Sequence, residues 1–299
     1  MNNRNMQKLS VALATYNEAH NIKTCLDSVA GIADEIIVVD GGSTDRTVEI
    51  AHTHGAKVTI TKNHPIFHIN KQKALDLAQN EWVLQLDADE IVTDALAHEI
   101  QQLLKMSTSE IEEHQANLPN KKLFDRHTRI LEKRDGNAQK KTTSYVAFFM
   151  PRKNFFLGRY LMHGGVYPDG VIRLIKKKHA HFPAKSVHEQ MVIEGRVGWL
   201  QNDLIHMDSP TFSKYLMRWH RYTRLIATEI REERKKTSPL VLAMGYMILR
   251  PGHWFVTTYA RHKGFLDSWQ GFVFSLFSSL RFPMGYIKYL ASADQESKN

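Results

Sequence analysis

The chain has 299 residues, 42% hydrophobic and 24% charged, so it has enough apolar surface to bury a core, and disorder over its whole length is excluded. The single cysteine, Cys25, excludes an intramolecular disulfide framework and a cysteine-based zinc site. The net charge is +9. The first ten residues lack the apolar stretch of a signal peptide, and the uncharged stretch at residues 268–280 is too short to span a bilayer. We therefore expect a cytoplasmic protein.

The first hundred residues alternate short apolar runs with amphipathic segments. Apolar positions in the first amphipathic segment recur with helical spacing at Ile22, Cys25, Leu26 and Val29. The alternation predicts strands over residues 9–14, 35–39, 57–61 and 82–86, with helices over 22–29, 45–52 and 70–79. Strands separated by helices of this length indicate βαβ units, and therefore an α/β fold with a mostly parallel sheet flanked by helices.

The pattern changes in the second half of the chain. Residues 106–143 are polar and aperiodic, which predicts an inserted loop or short helix. Strand-like segments return over 144–150, 171–176 and 197–204. The last third is helical in pattern, with helices expected over 212–236, 240–259 and 265–290. The second is expected to be broken at Pro251-Gly252 and the third to be interrupted near Pro283.

Carboxylates follow two of the predicted strands. Asp40 ends the second strand, and Asp87 and Asp89 follow the fourth. Ligands of parallel sheets bind beyond the carboxyl ends of the strands, and carboxylates suit Mg²⁺ or Mn²⁺. The alternative is a solvated acidic turn ahead of a helix. Neither a GxGxxG fingerprint nor a phosphate-binding P-loop is present in the sequence.

Three segments resemble the signature blocks of family 2 glycosyltransferases: VALATYNE (residues 11–18), IIVVDGGSTD (36–45) and WVLQLDADE (82–90). The resemblance is close over residues 8–100 and looser to about 210. It implies the Rossmann-like fold called GT-A, with a C-terminal helical extension. The implied domains are a nucleotide-sugar-binding half over 1–105, the polar insertion over 106–143, an acceptor-binding half over 144–210 and a helical region over 211–299.

The resemblance also implies a nucleotide pocket at the first two strand ends. Asp40 would hold the base or ribose of the nucleotide; the alternative is that its carboxylate only caps the turn that follows the strand. The other residues that would line this pocket are Thr15, Tyr16 and Glu18.

A divalent cation, Mn²⁺ or Mg²⁺, is implied next to this pocket. Asp89 would coordinate the cation that binds the donor diphosphate, and Asp87 would lie near the ribose and the metal. Lys71 and Lys73 occupy a position where many relatives have a Lys/Arg-Asn pair, so a phosphate-facing cation is kept while an asparagine contact is lost. A solvated helix face is the alternative for both lysines.

Downstream residues supply candidates for the remaining roles. The Val-His-Glu block ending at Glu189 is similar to one in bacterial envelope-glycan relatives, which makes Glu189 the candidate general base. Arg173, after the YPDG segment (167–170), is expected to contact phosphate or acceptor. His206 is expected as a late metal ligand, because neutral imidazole suits Mn²⁺; a satisfied polar histidine is the alternative.

These residues together predict an inverting, metal-dependent glycosyltransferase. The expected donor is a nucleotide-diphosphate sugar, UDP-linked, and the expected acceptor is an envelope glycan or glycolipid such as lipopolysaccharide core. Two alternatives stay open. One is a polyprenyl-phosphate glycosyltransferase of the same fold, and the other is a non-catalytic membrane scaffold that binds a nucleotide sugar.

Charge is distributed unevenly along the chain. Residues 1–120 hold 9 Lys/Arg and 17 Asp/Glu, residues 121–187 hold 16 and 4, and residues 201–299 hold 14 and 8. The basic middle suits an acceptor with phosphate or acidic sugars, and no nucleic-acid-binding motif accompanies it, so we expect no nucleic-acid partner. The aromatic run over 265–277 and nearby cations predict a peripheral position on the anionic inner face of the plasma membrane; a hairpin packed on the catalytic domain or in a homodimer is the alternative.

Overall fold

The computed structural model describes residues 7–119, 121–136, 142–183 and 190–296. The chain forms two compact units. Unit 1 comprises Met1–Arg152 and Asp169–His206, and unit 2 comprises Lys153–Pro168 and Met207–Asn299. The domains implied by the family resemblance, with bounds at residues 105, 143 and 210, stay a prediction.

Unit 1 begins with the alternation that the sequence predicts. In chain order its first elements are β1 (Leu9–Thr15), α1 (Ile22–Val29), β2 (Glu35–Asp40), α2 (Thr47–Thr53), β3 (Lys57–Ile60), α3 (His68–Leu77) and β4 (Trp82–Leu86). There follow β5 (Glu90–Val92), α4 (Asp94–Leu103), α5 (Thr108–Ala116), α6 (Lys121–Asp135) and β6 (Tyr145–Phe156). After β7 (Arg159–Tyr160), which lies in unit 2, come β8 (Asp169–Lys176), β9 (Ala180–His181), β10 (Val192–Ile193), β11 (Arg196–Trp199) and β12 (Leu204–Ser209).

The sheet of unit 1 is parallel on one side and mixed on the other. Strands β3, β2, β1 and β4 lie side by side in that order and are parallel, and β8 and then β6 continue the sheet antiparallel. The register places Thr15 opposite Asp40 and Leu13 opposite Leu86. The carboxyl ends of β1, β2 and β4 therefore meet at one edge, and the expected α/β class, with a mostly parallel sheet flanked by helices and a C-terminal helical region, is confirmed.

The central strands are buried on both faces, which is why their sequences are apolar runs rather than alternating patterns. Leu9, Val11 and Leu13 of β1 pack into the core on one face, with the apolar stripe of α1. Ala12 points to the opposite face, where it packs with Ala74 and other apolar residues. The predicted helical stripe of α1 is confirmed, since its four apolar residues are fully buried.

The polar insertion contains two helices. The nine-residue α5 agrees with the expected short helix, whereas α6, with 15 residues, is longer than expected. Ser107 and Glu110 form a reciprocal capping box that starts α5. Gln115 of α5 is buried and forms a two-bond bridge to Trp199: its Nε2 donates to the backbone oxygen, 2.9 Å, and its Oε1 accepts from the backbone N–H, 2.8 Å. Polar anchoring of this kind leaves no hydrophobic periodicity in the sequence.

Unit 2 is built mainly from helices: α7 (Phe212–Arg234), α8 (Pro239–Met244), α9 (Arg250–Phe255) and α10 (Ser268–Glu296). Two π-helical turns, Gly245–Leu249 and Val256–Arg261, join α8 and α9 into one continuous helical segment, so the predicted break at Pro251-Gly252 is wrong. Pro251 follows a π-helical turn and lies in the first turn of α9, where its missing N–H costs little. The core of this unit is formed by Ile230, Leu242, Tyr246 and Tyr286.

None of the helices in the described part of the chain combines the length and the apolar character that crossing a bilayer requires.

Gly198 of β11 tests how tightly unit 1 is packed. A Cβ at this position would lie 2.6 Å from the Phe148 ring and 2.7 Å from Oε1 of Gln115. We expect Gly198→Ala to lower the free energy of unfolding in urea by about 1–3 kcal/mol through overpacking. Gly31→Ala is the matched control, because nothing lies within 4 Å of its Cβ position. Equal stability of the two variants would show that the Phe148 ring gives way.

Candidate active site

The loops that follow β1 and β2 are tied together at the edge where these strands end. The hydroxyl of Thr15 donates to Oδ2 of Asp40, 2.9 Å. Asn17 has a left-handed backbone (φ 54°), and its side-chain oxygen accepts from the N–H of Thr44, 2.8 Å. The N–H of Asn17 in turn donates to Oγ of Ser43, 2.7 Å. These bonds hold the two loops together as one rim.

Asp40 is the hub of this rim and is fully buried. Its Oδ1 accepts from the N–H groups of Gly42 (2.9 Å) and Ser43 (2.7 Å), and its Oδ2 accepts from the hydroxyls of Ser43 (2.6 Å) and Thr15. Gly42 has φ 84°, a conformation that glycine adopts without strain. Both carboxylate oxygens of Asp40 therefore hold the loop in place.

Tyr16 and Glu18, the two other residues expected in the nucleotide pocket, follow the carboxyl end of β1. Tyr16 is 43% exposed, so its ring faces outward rather than into the core. The carboxylate of Glu18 accepts from the side-chain amide of Asn21, 2.7 Å, and its backbone N–H donates to Thr47, 2.8 Å. Glu18 thereby fixes the start of α1 next to the rim.

A cluster of alternating charges begins at the end of β4. Lys71 of α3 and Arg173 of β8 both bind the carboxylate of Asp87, and the Arg173 Nη2 lies 2.7 Å from Oδ2 of that residue. The same Nη2 lies 2.7 Å from Oε1 of Glu90, and Nη1 donates to Oε1 of Gln85, 2.8 Å. Glu90 is fully buried, so its charge depends on these neighbours.

Arg152 of β6 extends the cluster. Its Nη1 donates to Oε1 of Glu90, 3.0 Å, and its Nη2 donates to Oδ2 of Asp169, 2.6 Å. Three cations from three different elements thus alternate with three carboxylates. The Nε of Arg173 is buried and has no hydrogen-bond partner in the described part of the protein, which leaves one donor of the cluster unused.

The pKa shifts of Asp87 and Arg173 favour the charged forms of both side chains. Burial alone would raise the pKa of Asp87, but Arg173 and Lys71 hold the pKa of that carboxyl well below its usual range. Burial opposes the charge of Arg173, yet Asp87 and Glu90 raise the pKa of its guanidinium. The pKa of the nearby Cys25 thiol is raised by burial and by the carboxylates of Glu90, Asp87 and Asp89, so this cysteine stays protonated.

A tight turn separates the roles of Asp87 and Asp89. The N–H of Glu90 donates to the backbone oxygen of Asp87, 2.9 Å, and the N–H of Asp87 donates back to Oε2 of Glu90, 3.0 Å. Asp87 therefore faces the cations of the cluster. The Oδ2 of Asp89 lies 3.5 Å from Nε2 of His206, which β12 places beside β5 by pairing His206 with Glu90.

Asp89 and His206 fit a divalent cation that is shared with a ligand. Among the residues that the structure describes, no three His, Cys, Asp or Glu side chains gather closely enough to hold an ion by themselves. A carboxylate and an imidazole are both ligands of Mn²⁺, and Mg²⁺ in phosphate-binding sites takes one or two carboxylates together with phosphate oxygens and water. The pair therefore suits an ion that arrives with a diphosphate.

A cavity of about 430 Å³ lies next to the charge cluster in unit 1. Side chains of α6 line it, including His127 and Arg134, so the insertion supplies part of its wall. The cluster contributes Lys71, Arg152, Arg173 and Asp169. Apolar residues complete the lining: Ile130, Leu131, Phe149, Val171, Ile172, Phe182 and Met191. Positive charge thus dominates the polar part of the lining.

The structure brings most of the predicted site residues together in unit 1. Thr15 and Asp40 form the rim, Lys71, Asp87 and Arg173 form the cluster, and Asp89 lies beside His206. Lys73 forms no ion pair with a described residue, although it lies only two positions from Lys71 on α3. Glu189, the predicted general base, lies outside the described residues.

Sequence reasoning missed Gln85 and Arg152. Gln85 is buried in the middle of an apolar strand, and a buried amide in such a run was the available signal. Arg152 gives no local signal, because its partners Glu90 and Asp169 are distant in the sequence and meet it only through the order of the strands.

Comparison with known proteins identifies the family. The model of glycosyl transferase family 2 matches residues 10–177, more than half of the chain, and the chain belongs to that family. An uncharacterized glycosyltransferase of Rickettsia bellii (strain RML369-C) is 43% identical over 95 residues, 32% of this chain and 32% of that protein. The glycosyltransferase SunS of Bacillus subtilis (strain 168) is 37% identical over 87 residues, 28% of this chain and 20% of that protein.

These matches span about a third or less of the length of the curated relatives. Among solved structures, glucosyl-3-phosphoglycerate synthase from Mycobacterium tuberculosis in complex with Mn²⁺ and UDP-glucose is 29% identical, over 28% of this chain and 34% of that chain, with a TM-score of 0.26.

We expect the charge cluster to contribute to the free energy of unfolding. Arg173→Met removes a buried guanidinium from Asp87 and Glu90, so we expect the free energy of unfolding to fall by about 3 kcal/mol, as when one partner of a buried ion pair is lost. The control is Arg46→Met, which breaks an exposed pair with Glu49 (2.7 Å) and should cost less than about 1 kcal/mol. Chemical denaturation measures the free energy of unfolding of both variants. If Arg173→Met lowers it no more than the control does, the cluster does not stabilise the fold.

Proposed function

We propose that this protein is an inverting glycosyltransferase that moves a sugar from a nucleotide-diphosphate sugar, UDP-linked, to a hydroxyl of an anionic envelope glycan or glycolipid such as lipopolysaccharide core. The observation that carries the proposal is the arrangement at the end of β4. The turn there directs Asp87 to the cations Lys71 and Arg173, and Asp89 to the imidazole of His206. A diphosphate needs both kinds of group, cations for its oxygens and ligands for its metal ion.

The donor is expected at the rim formed by β1 and β2. Thr15, Tyr16 and Glu18 supply the wall of the nucleotide pocket, and the exposed ring of Tyr16 offers a flat apolar face to a base. Asp40 keeps the rim in shape through its four hydrogen bonds. A direct contact from Asp40 to the base or ribose, as the family resemblance implies, replaces one of these bonds.

The metal ligands of the proposal are Asp89 and His206. When bound, Mn²⁺ or Mg²⁺ would neutralise charge on the departing diphosphate. Lys71 and Arg173 add fixed positive charge at the same edge, and Arg173 keeps an unused buried N–H donor. The protein itself thus supplies an environment that favours a developing anion, without having to rearrange during the reaction.

Glu189 is the proposed general base of a single displacement. It takes the proton of the acceptor hydroxyl while the oxygen forms its bond to the anomeric carbon, and the bond from that carbon to the diphosphate oxygen breaks with its electron pair leaving on UDP. The configuration at the anomeric carbon inverts, and positive charge develops on the sugar in the transition state. The next residue, Gln190, lines the cavity, which supports an acceptor position there.

The cavity supports an acceptor that carries phosphate or acidic sugars. Its polar lining includes Lys71, Arg134, Arg152 and Arg173 against the single carboxylate of Asp169. Arg134 is held in place by the backbone oxygen of Met191, 2.8 Å, so its guanidinium is oriented before an acceptor arrives. The apolar part of the lining suits the face of a sugar ring or the start of a lipid chain.

Asp89→Asn tests the metal ligand. The substitution keeps the shape of the side chain and removes its charge, so we expect Mn²⁺-dependent binding of UDP, measured by calorimetry, to be lost while the thermal unfolding midpoint stays close to that of the wild type. Asp94→Asn, which changes a nearby acidic residue in the first turn of α4, is the matched control and should keep Mn²⁺-dependent binding. Unchanged binding in Asp89→Asn assigns the cation to other ligands.

Glu189→Gln tests the base. Removal of a general base lowers turnover by roughly 10²–10⁴-fold, and donor affinity should stay the same because the glutamate acts on the acceptor. Transfer rates at saturating UDP-sugar, together with the dissociation constant for UDP, separate the two quantities. Turnover at the wild-type rate would move the base to another residue, with Asp169 as the next candidate.

A further inference from the structure

Unit 2 carries an uncovered apolar surface on the helical segment 239–261. Seven large apolar side chains on this segment are between 43% and 71% exposed. We call this surface the apolar ridge; its residues are Leu240, Val241, Met244, Met247, Ile248, Leu249 and Val256. Contiguous exposed apolar surface on a protein marks a site of contact with a partner or a membrane.

The apolar ridge is separate from the side of the segment that packs inward. Leu242 and Tyr246 point into the core of unit 2, and the hydroxyl of Tyr246 donates to Glu233, 2.7 Å. Leu240, Met244 and Ile248 follow one another at intervals of four residues, which places them along one face of a helix. The segment therefore has two apolar sides. Among the described residues of unit 2, only the inward side has apolar packing partners.

The chain around the apolar ridge is almost free of negative charge. Between Glu233 and Asp294 the only carboxylate is Asp267, which is 1% exposed and accepts from the N–H of His163, 2.7 Å. Eight cations lie in the same interval: Arg234, Lys235, Lys236, Arg250, Arg261, Lys263, Arg281 and Lys288. Arg261 and Lys263, at the end of the segment, are exposed and form no ion pair with a described residue. Arg250 and Lys235 are paired with Glu233 (2.8 Å) and Glu232 (2.7 Å) of α7, so the unpaired positive charge next to the ridge comes mainly from Arg261 and Lys263.

This combination of apolar and cationic groups favours one occupant over two others. A second copy of the chain would bring an equally cationic surface against the first, and like charges repel. A single-stranded nucleic acid is bound by aromatic rings that stack on its bases, whereas the ridge is aliphatic and contains methionine. A duplex offers phosphates for the cations but no apolar phase for seven exposed aliphatic side chains. An anionic lipid surface offers both an apolar phase for the side chains and negative headgroups for the cations.

We propose that the apolar ridge inserts into an anionic bilayer surface, with the segment 239–261 lying in the plane of the interface. Ridge side chains reach the boundary between headgroups and acyl chains, while Arg261 and Lys263 remain at the level of the phosphates. This binding is independent of the proposed sugar transfer. The ridge lies on a different segment from the aromatic run over 265–277 that the sequence indicated. Within that run Phe265, Trp269 and Phe272 are also exposed, whereas Phe277 packs against the ring of Trp219.

Flotation of the full-length protein with liposomes tests the proposal. The probe is a vesicle of phosphatidylcholine with or without phosphatidylglycerol, at low and at high salt. We expect binding to the anionic vesicles, weakened at high salt, because charges beyond the Debye length of about 8 Å at physiological salt are screened. The triple variant Leu240→Ser/Ile248→Ser/Leu249→Ser should bind at least tenfold more weakly. The double variant Arg261→Gln/Lys263→Gln should lose about fivefold per cation and part of the salt dependence.

Ile60→Ser is the matched control, since Ile60 is 65% exposed in unit 1 and lies outside the ridge; its vesicle binding should equal that of the wild type. Circular dichroism checks that each variant is folded, and the charge variant leaves the apolar side chains intact. Equal vesicle binding by the wild type and both multiple variants overturns the proposal. So does a wild-type dimer in light scattering that becomes a monomer in the triple variant, because the ridge is then an interface between two copies.

Discussion

The guanidinium of Arg173 connects three strands of unit 1: β8, its neighbour β4, and β5, which lies further along the sheet. From β8 it binds Gln85 and Asp87 at the end of β4 and Glu90 at the start of β5. A buried carboxylate such as Glu90 is costly to leave unpaired, so the antiparallel addition of β8 to the parallel half of the sheet and the turn after β4 depend on each other. Arg152 repeats this arrangement one strand further along the sheet.

This constraint divides the two aspartates of the Asp-x-Asp segment into different roles. Asp87 is held by Lys71 and Arg173, which lower the pKa of its carboxyl so that it is charged at any ordinary pH. These ion pairs give Asp87 a structural role in unit 1. Asp89, on the other side of the same turn, lies beside an imidazole instead. The charges around Asp87 thereby fix the turn that carries Asp89, which we propose as a metal ligand, and the surplus of positive charge in the cavity suits phosphate groups.

Unit 2 is stabilised mainly by helix packing rather than by buried ion pairs. Its helices pack through an aromatic core, and π-helical turns carry the segment 239–261 through a proline without a break. The same segment leaves one apolar side uncovered within a region that is nearly free of carboxylates. Unit 1 thus contains a buried charge network around Arg173, whereas unit 2 keeps most of its cations at the surface, where they can attract an external anionic partner.

The sequence by itself determined the first four strands, the helices between them and the carboxylates at the strand ends. These features follow from local hydrophobic periodicity and from motifs that lie within a few residues of each other. The helical spacing of Leu123, Phe124, Ile130 and Leu131 was a further signal in the sequence, for α6. Only the tertiary structure decided that α5 is a helix, that Arg152 meets Glu90 and Asp169, and which face of the segment 239–261 is exposed. Those outcomes depend on polar contacts and packing between residues far apart in the chain, as between Gln115 and Trp199, and such contacts leave no periodic trace in the sequence.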